Sequence, residues 1–246
     1  EHFGQEGRNR VKDRRASGQV WIIVTSQEKL DEVVAAIDSR RVELAKLQDR
    51  FRYHVDLAPA DIKKVATKRV LGKNAAGTEV LRERFGESEG QLATHTMLEH
   101  TTRFAPPREQ DFIQFYPYLP HFIDLSIDIV SGMRLQPGAP KHIGGSNRTI
   151  IKQAYEMLVS PRTNLANAPV GALVTLDRIY ELVEGNLSTE KRKDIGDIAE
   201  RLPDGGWPER VAKSIALLEF VRDLPRTEGN IAALLYERLG QESVLG

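Results

Sequence analysis

The sequence predicts a mixed α/β fold that is predominantly α-helical. Three observations predict it. One segment, Gln19-Val20-Trp21-Ile22-Ile23-Val24-Thr25-Ser26, reads clearly as a strand, apolar and β-branched on consecutive positions like a strand buried on both faces of a parallel sheet. Most other apolar residues recur at spacings of three and four, the period of an amphipathic helix. Residues 173–246 carry that helical pattern throughout, with capping residues opening each segment.

Taken in order, the strand is followed by a helical stripe of Leu30, Val33, Val34, Ile37, Leu44, Leu47 and Phe51, interrupted by Arg41. Pro59 suits a first helical position, and Ile62, Val65, Ala66 and Val70 carry the next stripe to about Leu71. Residues 72–110 hold several glycines, many charges and Pro106-Pro107, and read as helical pieces joined by loops, an insertion. Phe112-Ile113-Gln114-Phe115 alternates like a short strand, ended by Pro117 and Pro120. Phe122, Leu125, Ile129 and Met133 then step with helical spacing.

Pro137 to Gly145 is a loop. Ser146 or Asn147 can cap the helix after it, whose buried stripe is Ile150/Ile151, Ala154 and Met157/Leu158. Residues 160–172 are a Pro/Asn-rich linker and a candidate boundary. Thr175 caps a helix through Glu184, and Ser188 or Thr189 caps another. Pro208 opens a third, with Val211, Ile215, Leu218 and Val221. Thr227 opens a fourth, with Ile231, Leu234, Leu235 and Leu239. The last two meet across Asp223-Leu224-Pro225-Arg226, which is helix-turn-helix spacing. The expected organisation is therefore 1–71, an insertion at 72–110, a unit at 111–160 and a helical, helix-turn-helix-like domain at 173–246.

Composition bounds the chemistry. Of 246 residues, 40% are hydrophobic and 28% charged, an ordinary globular balance. Lys plus Arg and Asp plus Glu both number 35, so attraction to nucleic acid or membrane must come from local patches. The absence of cysteine excludes thiol nucleophiles, disulfides and zinc ribbons, and fits a reducing compartment. The apolar runs are shorter than the ~18 residues of a membrane span. The start, Glu1 to Arg15, is not a signal peptide, and a first residue other than Met points to a piece of a longer chain.

A phosphate-binding loop requires Gly-x-x-x-x-Gly-Lys-Ser/Thr. The only Gly-Lys pair, Gly72-Lys73, has Thr67 in place of the first glycine and Asn74 in place of the hydroxyl residue. No strand ends in the Asp-Glu that would hold magnesium. His95 and His100 are five apart and do not share a helical face, so no protein metal site is expected. No Gly-x-Ser-x-Gly elbow is present.

Three features carry chemistry. Thr25 and Ser26 end the buried strand, where a polar tip can bond a phosphate or a catalytic water; the plainer reading is that Ser26 caps the next helix. Arg50, with Arg52 as its rival, follows a long helix and can reach a neighbouring subunit's phosphate; the plainer reading is an exposed basic helix end. Gly144-Gly145-Ser146-Asn147-Arg148 opens an amphipathic helix. A cation is unfavourable in the first turn, and a bound phosphate would offset that cost at Arg148. The basic cluster Arg8, Arg10, Lys12, Arg14 and Arg15 is diluted by Asp13 and reads as a solvated helix face before a nucleic-acid contact. The terminal helix pair has few basic residues beyond Arg226 and Arg238, which favours packing over DNA reading.

The order of these features resembles the second half of an AAA+ module: sensor-1 strand, arginine-finger region, helical lid with a sensor-2 arginine, and a winged-helix-like domain. More specifically, the chain is similar to the P-loop ATPases of BREX phage-defence systems and their relatives in phage growth limitation, the BrxC/PglY family. The segments carrying the likeness are Trp21 to Val34, Leu47 to Phe51, Tyr118 to Leu125, His142 to Ile151 and Leu224 to Ala232. The stretch 72–110 contributes little. The resemblance implies a remnant of an AAA+ core over 1–71, a lid over 111–160 and a cytoplasmic ATPase that uses ATP and Mg2+ in the full-length protein. It implies other defence proteins as partners, DNA as a further one, a homo-oligomer, and no membrane. By position Thr25 or Ser26 would be sensor 1, Arg50 a finger and Arg148 sensor 2, with Gly145, Asn147 and Arg148 lining the nucleotide. The family's phosphate loop and magnesium-binding acids are missing, so no ATP is expected to bind this chain alone. A non-catalytic DNA-binding or scaffold module is the alternative, and an Orc-like AAA+ replication initiator a further one.

Overall fold

The chain divides into two units, Glu1–Asp56 and Leu57–Gly246. The computed structural model describes residues 59–101, 104–136, 146–202 and 206–242, with side chains from Lys63 onward and, in the helix opening at Ser146, from Thr149 onward. The expected strand 19–26 and the helix after it lie outside the described residues.

The described part is predominantly helical. Its helices are α1 (Pro59–Arg69), α2 (Ala75–His95), α3 (Glu109–Phe115), α4 (Pro120–Arg134), α5 (Ser146–Val159), α6 (Leu176–Val183), α7 (Thr189–Arg201), α8 (Trp207–Leu218) and α9 (Glu228–Leu234). Among the described residues the β pairing is one antiparallel bridge, Ala172 with Arg238. Around it the Leu173 N–H donates to the Glu237 carbonyl at 2.8 Å and the Leu239 N–H to the Gly171 carbonyl at 2.9 Å. Among the described residues no helix is long and apolar enough to cross a membrane.

Helix α4 is the centre of the core. Pro120 starts it, since a helix's first N–H has no intrahelical partner to lose. Phe122, Ile123, Leu125, Ile129, Val130 and Met133 are all buried along it. Each such side chain contributes about 1.5–3 kcal/mol by leaving water. Helix α5 packs on α1, α4 and α6, and α8 packs on α6, α7 and α9. Gly132 lets α4 approach the loop after α8 closely: a Cβ there would stand 2.5 Å from the Phe220 carbonyl oxygen.

The segment Phe112–Phe115 is not a strand, as its alternation predicts, but the end of α3. Phe112 and Phe115 are the buried pair, one helical turn apart, and Glu109 and Asp111 favour a helix by lying in its first turn. Four residues fit a period of two and a period of three equally well, and burial decides between them.

The boundaries expected at 71/72, at 110/111 and across 160–172 all fall inside the second unit. Leu81, Phe85 and Leu92 of α2 belong to the same core as Phe112, Leu176 and Leu234. Leu165, in the expected linker, is buried there too.

Two caps are as expected. Ser188 and Thr227 accept from the N–H groups of Lys191 and Asn230. Thr175 occupies the cap position of α6 but makes no capping bond, and its buried hydroxyl has no partner among the described residues. The α8 stripe is also rotated from expectation. Ile215 is exposed, while Ser214, Ala216, Leu217 and Leu218 are buried. Helix α9 ends at Leu234, and Leu239 packs on the core from the extended segment beyond it.

Candidate functional site

Of the candidate residues, Thr25, Ser26, Arg50, Arg52 and Gly145 lie outside the described residues. Asn147 and Arg148 occupy the first turn of α5, which opens at Ser146 directly after Gly144-Gly145. The structure therefore places Ser146, Asn147 and Arg148 at a helix start, as the sequence predicts.

Helix α5 has two distinct faces. Ile150, Gln153, Ala154 and Met157 are buried and fix it against its neighbours. The opposite register holds positions 148, 152, 155 and 159, which recur at the spacing of one helical face. On it Lys152 is 71% exposed, and it pairs with Glu156 at 3.4 Å. Tyr155 is 57% and Val159 47% exposed. The sequence pattern singles out Arg148 through its charge and gives Tyr155 no distinction, although counting seven residues on from Arg148 finds it.

Helices α6 and α8 and the segment after α9 are joined by a charged network. Arg210 donates to Asp177 at 2.7 Å and to Glu237 at 2.9 Å, and its guanidinium stacks 4.5 Å from the Trp207 ring. Lys213 bonds Glu181 at 2.5 Å and Glu209 at 2.6 Å. Burial pulls the Lys213 amine down, but the hydrogen bonds to Glu181 and Glu209 outweigh it, and the net shift is upward. Every cation here already has carboxylate partners, so the network holds helices together and offers no free charge to a ligand.

The motif Leu224 to Ala232 owes its composition to packing. Asn230 is fully buried. Its carbonyl oxygen accepts from the Glu99 N–H at 2.6 Å, and its amide donates to the carbonyls of Glu99 at 3.2 Å and Pro225 at 2.8 Å. The Thr227 hydroxyl donates to the Glu99 carboxylate at 3.2 Å. A Cβ on Gly229 would meet that carboxylate at 2.6 Å, so the Glu99 side chain would have to shift to admit one. His95 stacks on Tyr236 in the same region, 5.7 Å between centroids. The segment from His95 to Glu99 thus clasps α9. Asn230, Ala232, Ala233 and Leu234 of α9 are all buried, and Glu228 is exposed.

Two further groups have displaced protonation equilibria. His121 is buried against Phe104 and Phe122, and its Nε2 has no hydrogen-bond partner among the described residues. Desolvation brings its pKa down to about 4, so it is neutral at pH 7. Burial lowers the Lys73 amine to about 8. That amine donates to the Gln114 carbonyl at 3.0 Å, tying the α1–α2 link to α3. The Gly72-Lys73 pair is therefore a tertiary tether. His95 and His100 do not converge with other ligands: among the described residues no group of three or more His, Asp or Glu side chains is arranged to hold a metal.

An open cleft of about 900 Å³ lies between His100-Thr101 and the loop joining α8 to α9. Glu219, Arg222, Asp223 and Arg226 line it, both signs together, and the Glu219 carboxylate is engaged by Lys191. The open register of α5, on which Lys152 and Tyr155 are exposed, is the stronger candidate site. Set against known proteins, the chain matches no protein-family model and no solved structure.

Proposed function

We propose that this chain is the lid and C-terminal helical part of an AAA+-type ATPase of the BREX phage-defence kind. In this reading ATP is held by a phosphate-binding loop elsewhere in the full-length protein, and Arg148 closes on its γ-phosphate. The observation that carries the reading is the start of α5 at Ser146, which puts Arg148 in the first turn after a Gly-Gly pair. A cation is disfavoured there unless an anion faces it. The register of α5 lends support, because Ile150, Ala154 and Met157 anchor the helix while Lys152 and Tyr155 on its other side are exposed. The α8–α9 pair, followed by a segment bridged back to Ala172, agrees with a winged-helix-like arrangement. Partner defence proteins and a homo-oligomer belong to the same proposal.

The rival reading is a DNA-binding module that uses α9 as a recognition helix. The burial of Asn230, Ala232, Ala233 and Leu234 speaks against it, since a helix that enters a groove must expose the face that reads bases. Hydrolysis of ATP by the full-length protein, compared with its Arg148→Ala variant, tests the proposal. A salt series of duplex DNA binding tests the rival: steep loss of affinity with salt, unaffected by nucleotide, would favour DNA binding over the ATPase reading.

A further inference from the structure

We infer that the cleft between His100-Thr101 and the loop joining α8 to α9 binds a small-molecule phosphate monoester, with Arg222 and Arg226 holding the anion. The inference goes beyond the ATPase reading and does not depend on it. The cleft measures about 900 Å³, which is the size of a small-molecule site.

Its two walls are fastened together. The buried Asn230 side chain accepts from the Glu99 N–H at 2.6 Å and donates to the carbonyls of Glu99 at 3.2 Å and Pro225 at 2.8 Å. One amide therefore holds the backbone on both sides of the opening. Val221 and Leu224 of the loop are buried and anchor it to the core. His100, which follows Glu99 and lines the cleft, is held at φ 55°. That is left-handed backbone, which a residue with a Cβ disfavours, and strain of this kind collects at ligand-binding positions.

The charges of the cleft are unevenly engaged. Lys191 bonds the Glu219 carboxylate, and Asp223 has a partner too. Arg226 reaches Glu219 only at 4.0 Å, at the limit of an ion pair. Arg222 is exposed, and its guanidinium has no partner among the described residues. This sets the cleft apart from the network around Arg210 and Lys213, where carboxylates occupy every cation. A phosphate monoester carries close to two negative charges at pH 7, and its oxygens match the fork of a guanidinium. The exposed Pro225 ring offers apolar surface to the organic part of the ligand.

The test uses the full-length protein and titration calorimetry, with phenyl phosphate, inorganic phosphate and duplex DNA as probes. Phenyl phosphate should bind, and more tightly than inorganic phosphate. Loss of a charge-assisted bond makes Arg222→Ala weaken that binding by about tenfold. Arg226→Ala should weaken it as well, while Arg201→Ala, on α7 outside the cleft, keeps the parent's affinity. Thermal unfolding of Arg222→Ala should match the parent, since the side chain is exposed. No binding of phenyl phosphate, or binding that Arg222→Ala and Arg226→Ala leave unchanged, overturns the inference. An equal loss in Arg201→Ala overturns it in favour of unspecific attraction. Equal affinity for inorganic phosphate overturns the ester, and displacement of phenyl phosphate by duplex DNA overturns the small molecule.

Discussion

Acid should destabilise the Leu57–Gly246 unit through His121, and by a predictable amount. The folded protein holds this imidazole neutral, with a pKa of about 4 caused by burial against Phe104 and Phe122. In the unfolded chain the same group titrates near 6.5. A histidine whose folded pKa is depressed contributes no penalty above the unfolded value. As pH falls below about 6.5 the unfolded chain takes up a proton that the folded chain refuses, and stability is lost until the folded group also protonates near 4. Each tenfold difference in proton affinity between the two states is worth about 1.4 kcal/mol, so the full loss is about 3 kcal/mol, and about 2 kcal/mol of it has gone by pH 5. His121→Leu removes the titration and leaves an apolar residue of similar size, so its stability at pH 7 should be close to the parent's. Urea unfolding followed by circular dichroism at pH 7 and pH 5 measures both proteins. Carboxylates titrate in each and cancel in the difference. The parent should lose about 2 kcal/mol more than His121→Leu over this interval. Equal losses would refute the burial argument.

Glycines within helices divide by their surroundings. Gly86 and Gly90 of α2 have open space where a Cβ would stand, so Gly86→Ala and Gly90→Ala should each stabilise by about 0.5–1 kcal/mol in chemical unfolding. Gly132→Ala should instead destabilise by about 1–3 kcal/mol, because its Cβ meets the Phe220 backbone; a stabilised Gly132→Ala would show that α4 and the loop after α8 are not in close contact. Asn230→Ala should cost about 2–3 kcal/mol, since the Glu99 N–H and the carbonyls of Glu99 and Pro225 lose their partner together. Hydrogen exchange of the Glu99 amide reads the same change locally, and unchanged protection would contradict the clasp.

Much of the helical part was legible because the signals are local. Ser188 and Thr227 cap helices through bonds to residues three positions on, and the stripe of α4 repeats over enough turns to identify its period. The α5 stripe at Ile150, Ala154 and Met157 was legible for the same reason, and with it the helical setting of Arg148. What was not legible depends on distant partners. Phe112 and Phe115 become a helical pair only when both are buried. Ile215 is apolar, yet the contacts of α8 leave it outside. Asn230 is bonded to a residue 131 positions away, and nothing near it in sequence announces a buried amide. Gly132 likewise owes its identity to the Phe220 backbone. Of the candidate site, Arg148 was found through the clash between its charge and its place in the helix.

The central claim is that Arg148 acts on the terminal phosphate of ATP. Steady-state ATP turnover by the full-length protein and its Arg148→Ala variant tests it most directly. Loss of one charge-stabilising donor predicts a fall in kcat of about a hundredfold. Turnover by Arg148→Ala equal to that of the parent would contradict the claim.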